Sequence, residues 1–178
     1  LHNGAANYFV LHKEISDLTE STSLTFLGTS ITCARCHNHP LEKWTQDQYW
    51  SMANLFAQVG IKNGDRGGEF LVQSLADGDI LHLRRGVPMP PTPLDGQPVA
   101  AGQDRRQYFA KWLTAPDNPY FARALVNRVW RNFMGRGLVE AEDDLRQTNP
   151  PSNEQLLDAL AKDFVAKGYD VKHLMRTI

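Results

Sequence analysis

The segment Cys33-Ala-Arg-Cys36-His37 places two thiols and one imidazole within a single short stretch of the chain. A Cys-x-x-Cys-His run is typical of c-type haem attachment, in which the thiols bind the porphyrin covalently and the imidazole binds the iron. We therefore predict one haem c, attached through Cys33 and Cys36 with His37 as a ligand of the metal. The function expected of such a group is electron transfer, which needs no acid–base catalysis by the protein.

Met89 is the candidate for the sixth position of that iron. Its thioether lies in the run Val-Pro-Met-Pro-Pro at residues 87–91, where prolines restrict the backbone. A methionine ligand raises the reduction potential of a haem. Packing alone is the other explanation of a methionine in such a loop. His12, His39 and His82 compete with Met89 for the same position on the metal.

Two other uses of the cysteine pair stay open. Zinc accepts Cys and His ligands in tetrahedral sets, so the two cysteines with His37 and His39 could hold zinc in a non-haem binding module. However, the chain has only 2 cysteines, so the second ligand pair that usually follows would be missing. A redox dithiol is the remaining use, although no βαβ pattern surrounds the pair.

The composition bounds the class of protein. The 178 residues are 42% hydrophobic, with 10 prolines and 13 glycines, which suits one globular domain or two small ones. A net charge of −1 provides no long-range field for nucleic acid or an anionic membrane, and no apolar run approaches the length of a membrane span. No motif of hydrolytic or phosphate-binding sites occurs, so no catalytic residues are assigned.

The elements that must position the candidate residues are mostly helices. Apolar residues at helical spacing predict a helix over residues 17–31. A capping box at residues 45–48 predicts the start of the next helix, with Gly60 as its stop. In the glycine-rich middle of the chain, residues 70–75 and 80–84 flank an Asp-Gly pair and predict a β-hairpin.

Three further helices are predicted in the C-terminal part. The first follows Asn118, carries Asn127 on its solvent-facing side and ends at Gly135. The second opens with a capping box that begins at Ser152, and the third begins after Asp170. The predicted fold class is therefore mainly α, with helical bundle-like parts, a long Pro/Gly-rich irregular middle segment and a possible β-hairpin.

Longer runs of the sequence resemble two known families. Residues 26–49 read Phe-Leu-Gly-Thr-Ser-Ile-Thr-Cys-Ala-Arg-Cys-His-Asn-His-Pro-Leu-Glu-Lys-Trp-Thr-Gln-Asp-Gln-Tyr, which resembles the planctomycete cytochrome-associated domain DUF1549, or PSCyt2. Residues 118–130 read Asn-Pro-Tyr-Phe-Ala-Arg-Ala-Leu-Val-Asn-Arg-Val-Trp, and Thr-Asn-Pro-Pro-Ser follows at 148–152. These runs are similar to its usual companion DUF1553, or PSD1.

The resemblance implies a division of the chain into three parts. Residues 1–60 would be the C-terminal part of a DUF1549-like domain with the haem motif, residues 61–103 a connection, and residues 104–178 the N-terminal part of a DUF1553-like helical domain. It also implies an exported bacterial protein of the periplasm or cell surface. Its partner would be a redox protein or a further cytochrome domain of the same polypeptide. Because the chain begins at Leu1 and stops within a predicted helix at Ile178, we expect a piece of a longer protein.

Overall fold

The computed structural model of the chain describes residues 3–178 and is mainly α-helical, as the sequence predicts, with 43% of the chain in helices. Backbone proximity divides it into two compact units, which are described separately. The first unit comprises Leu1–Ser21, Thr32–His39 and Trp44–Phe109. The second unit comprises Thr22–Ile31, Pro40–Lys43 and Ala110–Ile178. None of the helices found over this described range is long and apolar enough to cross a membrane.

The first unit contains short helices and one small sheet. Its core is largely aromatic and lies around residues 44–56, with Trp44, Tyr49, Trp50 and Phe56 all buried. Its elements, some of which run into the second unit, are a 3₁₀ helix Gly4–Ala6, α1 Asn7–Leu11, α2 Ile15–Thr22, a 3₁₀ helix Thr32–Arg35, α3 Gln46–Ala53, β1 Val59–Asn63, β2 Phe70–Ser74 and α4 Arg105–Leu113.

Helix α3 begins at the predicted capping box, which is confirmed. The Gln48 N–H donates to Oγ1 of Thr45 at 3.2 Å, and the Thr45 N–H donates to Oε1 of Gln48 at 2.9 Å. The helix ends at Ala53, well before the predicted stop at Gly60, which lies in β1. Asn54 follows the last residue of the helix. Its side chain forms hydrogen bonds with Asp79, the Ile80 N–H and the Met89 carbonyl.

The β-hairpin exists, but its predicted pairing is wrong. Strand β2 pairs with β1, with Val59 opposite Ser74 and Asn63 opposite Phe70, so the turn lies in the glycine-rich residues 64–69. Residues 80–84 form no strand. The Asp-Gly pair that suggested a turn is held elsewhere, because the Gly78 carbonyl and the adjacent Asp79 carboxylate both accept hydrogen bonds from Arg105.

The second unit is a helical cluster with a continuous apolar core. It contains a π-helical turn Ser23–Leu27, α5 Phe121–Met134, α6 Glu154–Ala166 and α7 Val171–Thr177. The Asp170 cap of α7 is confirmed, but α6 is capped by Asn153 and not by Ser152. The buried members of the core are Ala122, Val126, Val129, Leu138, Val139, Leu157, Leu160, Ala161, Phe164 and Leu174.

The predicted helix over residues 17–31 stops short because of Gly28. This glycine has a φ of 63°, in the left-handed region, and its N–H donates to the Leu24 carbonyl at 3.2 Å and to the Ser23 carbonyl at the end of the π-helical turn. The Leu145 N–H donates to the Gly28 carbonyl at 2.8 Å. A Cβ at Gly28 would lie 2.6 Å from Cδ1 of Leu145, so a side chain here would strain the backbone and force Leu145 to move. Arg128 of α5 also donates to the Thr25 carbonyl at 2.7 Å.

The expected solvent-facing position of Asn127 is wrong. Its side chain is 0% exposed, because it faces the segment that follows α5. Its Nδ2 donates to the Val139 carbonyl at 3.0 Å, and its Oδ1 accepts the Val139 N–H at 2.9 Å. A carboxamide can satisfy both backbone groups of one residue, so Asn127 serves this buried segment as a strand neighbour would.

Candidate functional site

The Cys-x-x-Cys-His segment forms a tight turn in the first unit. Residues Thr32–Arg35 form a 3₁₀ helix, and the Cys33 carbonyl accepts the N–H groups of Cys36 and His37, both at 3.4 Å. Both cysteines carry free thiols, and their side chains and that of His37 are exposed. The three groups of the predicted attachment site are therefore accessible to solvent within one turn.

The ring of His37 has a defined tautomer. Its Nδ1 lies 2.7 Å from the carbonyl oxygen of Asn38. A carbonyl oxygen can only accept, so Nδ1 carries the ring proton and donates it. The neutral imidazole then keeps its lone pair on Nε2, which is the atom left for a metal ion.

Helix α3 holds the backbone between the two cysteines. The Arg35 carbonyl accepts hydrogen bonds from Nε2 of Gln46 at 3.0 Å and from Nε1 of Trp50 at 3.2 Å. These two donors are four residues apart and so lie on one face of the helix. Asn38 adds a third link, because its Oδ1 accepts the Gln46 N–H at 3.0 Å. We call the pair of bonds to Arg35 the carbonyl clamp.

Glu20 of α2 fastens the same turn from another helix. Its Oε1 accepts the Tyr49 hydroxyl at 2.9 Å, and its Oε2 accepts the Thr32 hydroxyl at 3.1 Å. Arg35 Nη1 lies 3.8 Å from Oε1 of the same carboxylate. The 3₁₀ helix that carries Cys33 is thus bound to both α2 and α3.

The phenol of Tyr49 gives this contact a pH dependence. Burial, followed by the hydrogen bond and the negative charge of Glu20, raises the pKa of Tyr49 above its ordinary value near 10. The folded chain therefore keeps a proton that the unfolded chain releases above pH ~10. We expect the free energy of unfolding to fall as the pH rises through that range, by at most ~1.4 kcal/mol per pH unit for this group.

Urea denaturation of the wild-type chain and of Tyr49→Phe between pH 9 and 11 measures this slope. We expect the substitution to make the slope shallower, since the titrating proton is gone. Tyr169→Phe, in the second unit, is the matched control. Burial also raises the pKa of Tyr169, so this substitution should remove a smaller part of the pH slope than Tyr49→Phe does. Identical slopes for wild type and Tyr49→Phe would contradict the prediction.

Comparison with known families places these residues in a wider group of proteins. Residues 2–60 match the model of PSCyt2, a protein of unknown function (DUF1549), and residues 105–178 match that of PSD1, a protein of unknown function (DUF1553). The chain therefore contains a PSCyt2 segment followed by a PSD1 segment. No curated protein and no solved structure matches the chain. The PSCyt2 segment contains the whole turn, Glu20 and the carbonyl clamp, whereas the three-part division at residues 60 and 103 stays a prediction.

Met89 lies outside both matched segments, in the irregular part of the first unit. Its side chain is half-buried, and its carbonyl oxygen accepts Nδ2 of Asn54 at 2.6 Å. This bond ties residue 89 to the end of α3. The role of Met89 as the sixth ligand stays a prediction.

The competing histidines have partners of their own. His82 is 2% exposed, and its Nδ1 accepts the N–H groups of Arg84 and Arg85 at 3.1 and 3.2 Å. Nδ1 of His12 lies 3.1 Å from a carboxylate oxygen of Asp17. The N–H of His39 donates to the Trp44 carbonyl at 2.8 Å, which fixes its backbone beside α3.

The zinc alternative has no preformed ligand set. Within residues 3–178, no group of three or more His, Cys, Asp or Glu side chains is arranged to hold a metal ion. A structural zinc site requires four ligands in a tetrahedron. The cysteines, His37 and His39 therefore do not make such a site in this arrangement of the PSCyt2 segment.

Sequence reasoning missed the groups that hold the turn. It did not single out Glu20, Asn38 or Gln46. For Gln46 and Trp50 a signal existed, because two N–H-bearing side chains four apart follow the motif on a predicted helix. For Glu20 there was none, since its partners come from two separate elements.

Proposed function

We propose that this PSCyt2–PSD1 chain is a c-type haem protein that transfers electrons. The haem would be attached through Cys33 and Cys36, with its iron bound by His37. The observation that carries the proposal is the His37 tautomer, because donation from Nδ1 to the Asn38 carbonyl leaves Nε2 for iron. The free, exposed thiols on the same turn also fit this group, since thioether formation would need no opening of the core.

Each part of the turn has a task in this function. When bound, the haem supplies a one-electron iron couple. Nε2 of His37 would bind the metal, and the hydrogen bond to the Asn38 carbonyl would orient the ring and increase its basicity. Met89 is our candidate for a second ligand of the iron, and its thioether would raise the reduction potential.

The exposure of the motif supports an electron carrier more than a catalyst. Neither cysteine nor His37 is enclosed by the core, so a haem held there would present an edge to another protein. We propose that the partner is a redox protein or a further cytochrome domain of the same polypeptide. We further propose that the protein is exported to the periplasm or cell surface, as the family resemblance implies.

An absorption spectrum of the exported, purified chain tests the proposal. Expression in a host with c-type haem maturation should give sharp bands on reduction, and the colour should survive acid–acetone extraction. In His37→Ala the bands should change to those of an iron that has lost its imidazole. His173→Ala, a histidine of the second unit that is not a candidate ligand, is the control and should leave them unchanged. A colourless wild-type chain, with or without zinc, would end the haem proposal.

A further inference from the structure

The carbonyl clamp extends inward to a buried histidine that electron transfer does not use. The rings of His82 and Trp50 lie 6.1 Å apart, centroid to centroid, at an angle of 46°. Because backbone N–H groups donate to Nδ1 of His82, that nitrogen carries no proton, and the ring is neutral with its proton on Nε2. This nitrogen lies 3.1 Å from Oδ1 of Asp47, at an angle too poor for a hydrogen bond.

Asp47 connects the histidine to the first turn of α3. Its other carboxylate oxygen pairs with the Arg85 guanidinium at 2.5 Å. The loop of residues 82–87 is closed on itself, because the His82 N–H donates to the Val87 carbonyl at 2.9 Å. One side of α3 is therefore fixed by this loop, while Gln46 and Trp50 reach the Cys-x-x-Cys turn from the same helix.

The two donors of the carbonyl clamp depend on the Arg35 carbonyl as their acceptor. Gln46 is 4% exposed and Trp50 is 6% exposed, so water does not readily replace the carbonyl as their acceptor. A buried donor without a partner costs more than a hydrogen bond contributes. Arg35 lies between the two cysteines. The two hydrogen bonds to its carbonyl therefore restrain the backbone on which both thiols are carried.

We infer that Gln46 and Trp50 are positioning residues for haem attachment, with His82 and Asp47 holding them in place. This inference rests on the proposed function. Each thiol adds across a porphyrin vinyl group: sulfur bonds to one carbon, the thiol hydrogen goes to the other, and no oxidant or reductant is consumed. Both sulfurs must reach their carbons from one backbone conformation. A turn that is ordered in the apoprotein meets this demand without a further loss of entropy at attachment.

Hydrogen exchange in the full-length apoprotein tests the ordering of the turn. We expect the Cys36 and His37 amides to exchange roughly fivefold faster in Trp50→Phe and in Gln46→Met, the effect of one lost neutral hydrogen bond. Trp130→Phe, in the second unit, is the matched control and should leave these two amides unchanged. Gln46→Met is included because Trp50→Phe alters a core residue and could fail to fold.

The amount of covalent haem per folded chain tests the link to attachment. It should fall in Trp50→Phe and Gln46→Met and stay at the wild-type level in Trp130→Phe. Unchanged exchange in both clamp variants would overturn the inference, and so would faster exchange with undiminished haem. If the wild-type chain binds no haem, the proposed function fails, and with it the attachment role. The exchange rates then still decide whether the clamp orders the turn.

Discussion

Replacement of both Cys33 and Cys36 by serine is expected to abolish covalent haem and to leave the fold intact. Both side chains are exposed, and the sulfurs form no disulfide. The hydrogen bonds that shape the turn run through the Cys33 carbonyl and the Arg35 carbonyl, which serine leaves in place. Acid–acetone extraction should therefore remove all colour from the double variant, whereas the free energy of unfolding of the apoprotein should change by no more than about 0.5 kcal/mol.

The single variants separate attachment from binding. Cys33→Ser and Cys36→Ser should each keep one thioether, so the haem stays with the protein on extraction, with a reduced band shifted to longer wavelength by the unreacted vinyl group. Extraction-resistant colour in the double variant would show that these cysteines are not the attachment site. Loss of folded apoprotein in that variant would instead contradict the purely chemical role assigned to the thiols.

Asn127→Leu is expected to lower the free energy of unfolding by about 3 kcal/mol. The leucine would leave the N–H and carbonyl of Val139 without partners, and each unsatisfied buried group costs roughly 1–3 kcal/mol. Val139 is 1% exposed, so water does not reach these groups without opening the second unit. Urea denaturation monitored by circular dichroism measures the difference from the wild-type chain.

Asn132→Leu is the matched control for this prediction. It makes the same chemical change on the same helix, at an exposed position, and should cost no more than about 0.5 kcal/mol. Asn127→Asp should cost at least as much as Asn127→Leu at neutral pH, because its buried carboxylate loses the donor and places a charged oxygen against the Val139 carbonyl. Equal costs for the two leucine variants would show that the Asn127 bonds are unimportant to stability.

The features that sequence predicted well are those whose partners are close along the chain. The capping box at Thr45 and the Asp170 cap each join residues three apart, so the pattern contains both partners. The Cys-x-x-Cys-His turn is local for the same reason. The helix end at Ala53 was predicted too late, because the partners of Asn54 come from residues 79–89. The end at Leu27 was also predicted too late, although Gly28 after it is a local stop signal.

The features that sequence did not predict depend on distant partners. Residues 70–75 were correctly recognised as a strand, but an Asp-Gly pair after them outweighed the glycine-rich turn before them. Asn127 was placed on the solvent side because asparagine is polar, and nothing near it in sequence indicates the Val139 backbone as its partner. The same holds for Glu20, whose carboxylate joins two elements of the first unit.

The close fit around Gly28 has a consequence for how such proteins evolve. Residues 22–31 lie in the PSCyt2 match, yet they complete the unit that contains most of the PSD1 match. Arg128 binds the carbonyls of Thr25 and Leu24, and Leu145 occupies the space that a side chain at Gly28 would need. We therefore expect these positions to change together across descendants. Recombination that joins a PSD1 segment to an N-terminal segment other than PSCyt2 should be selected against.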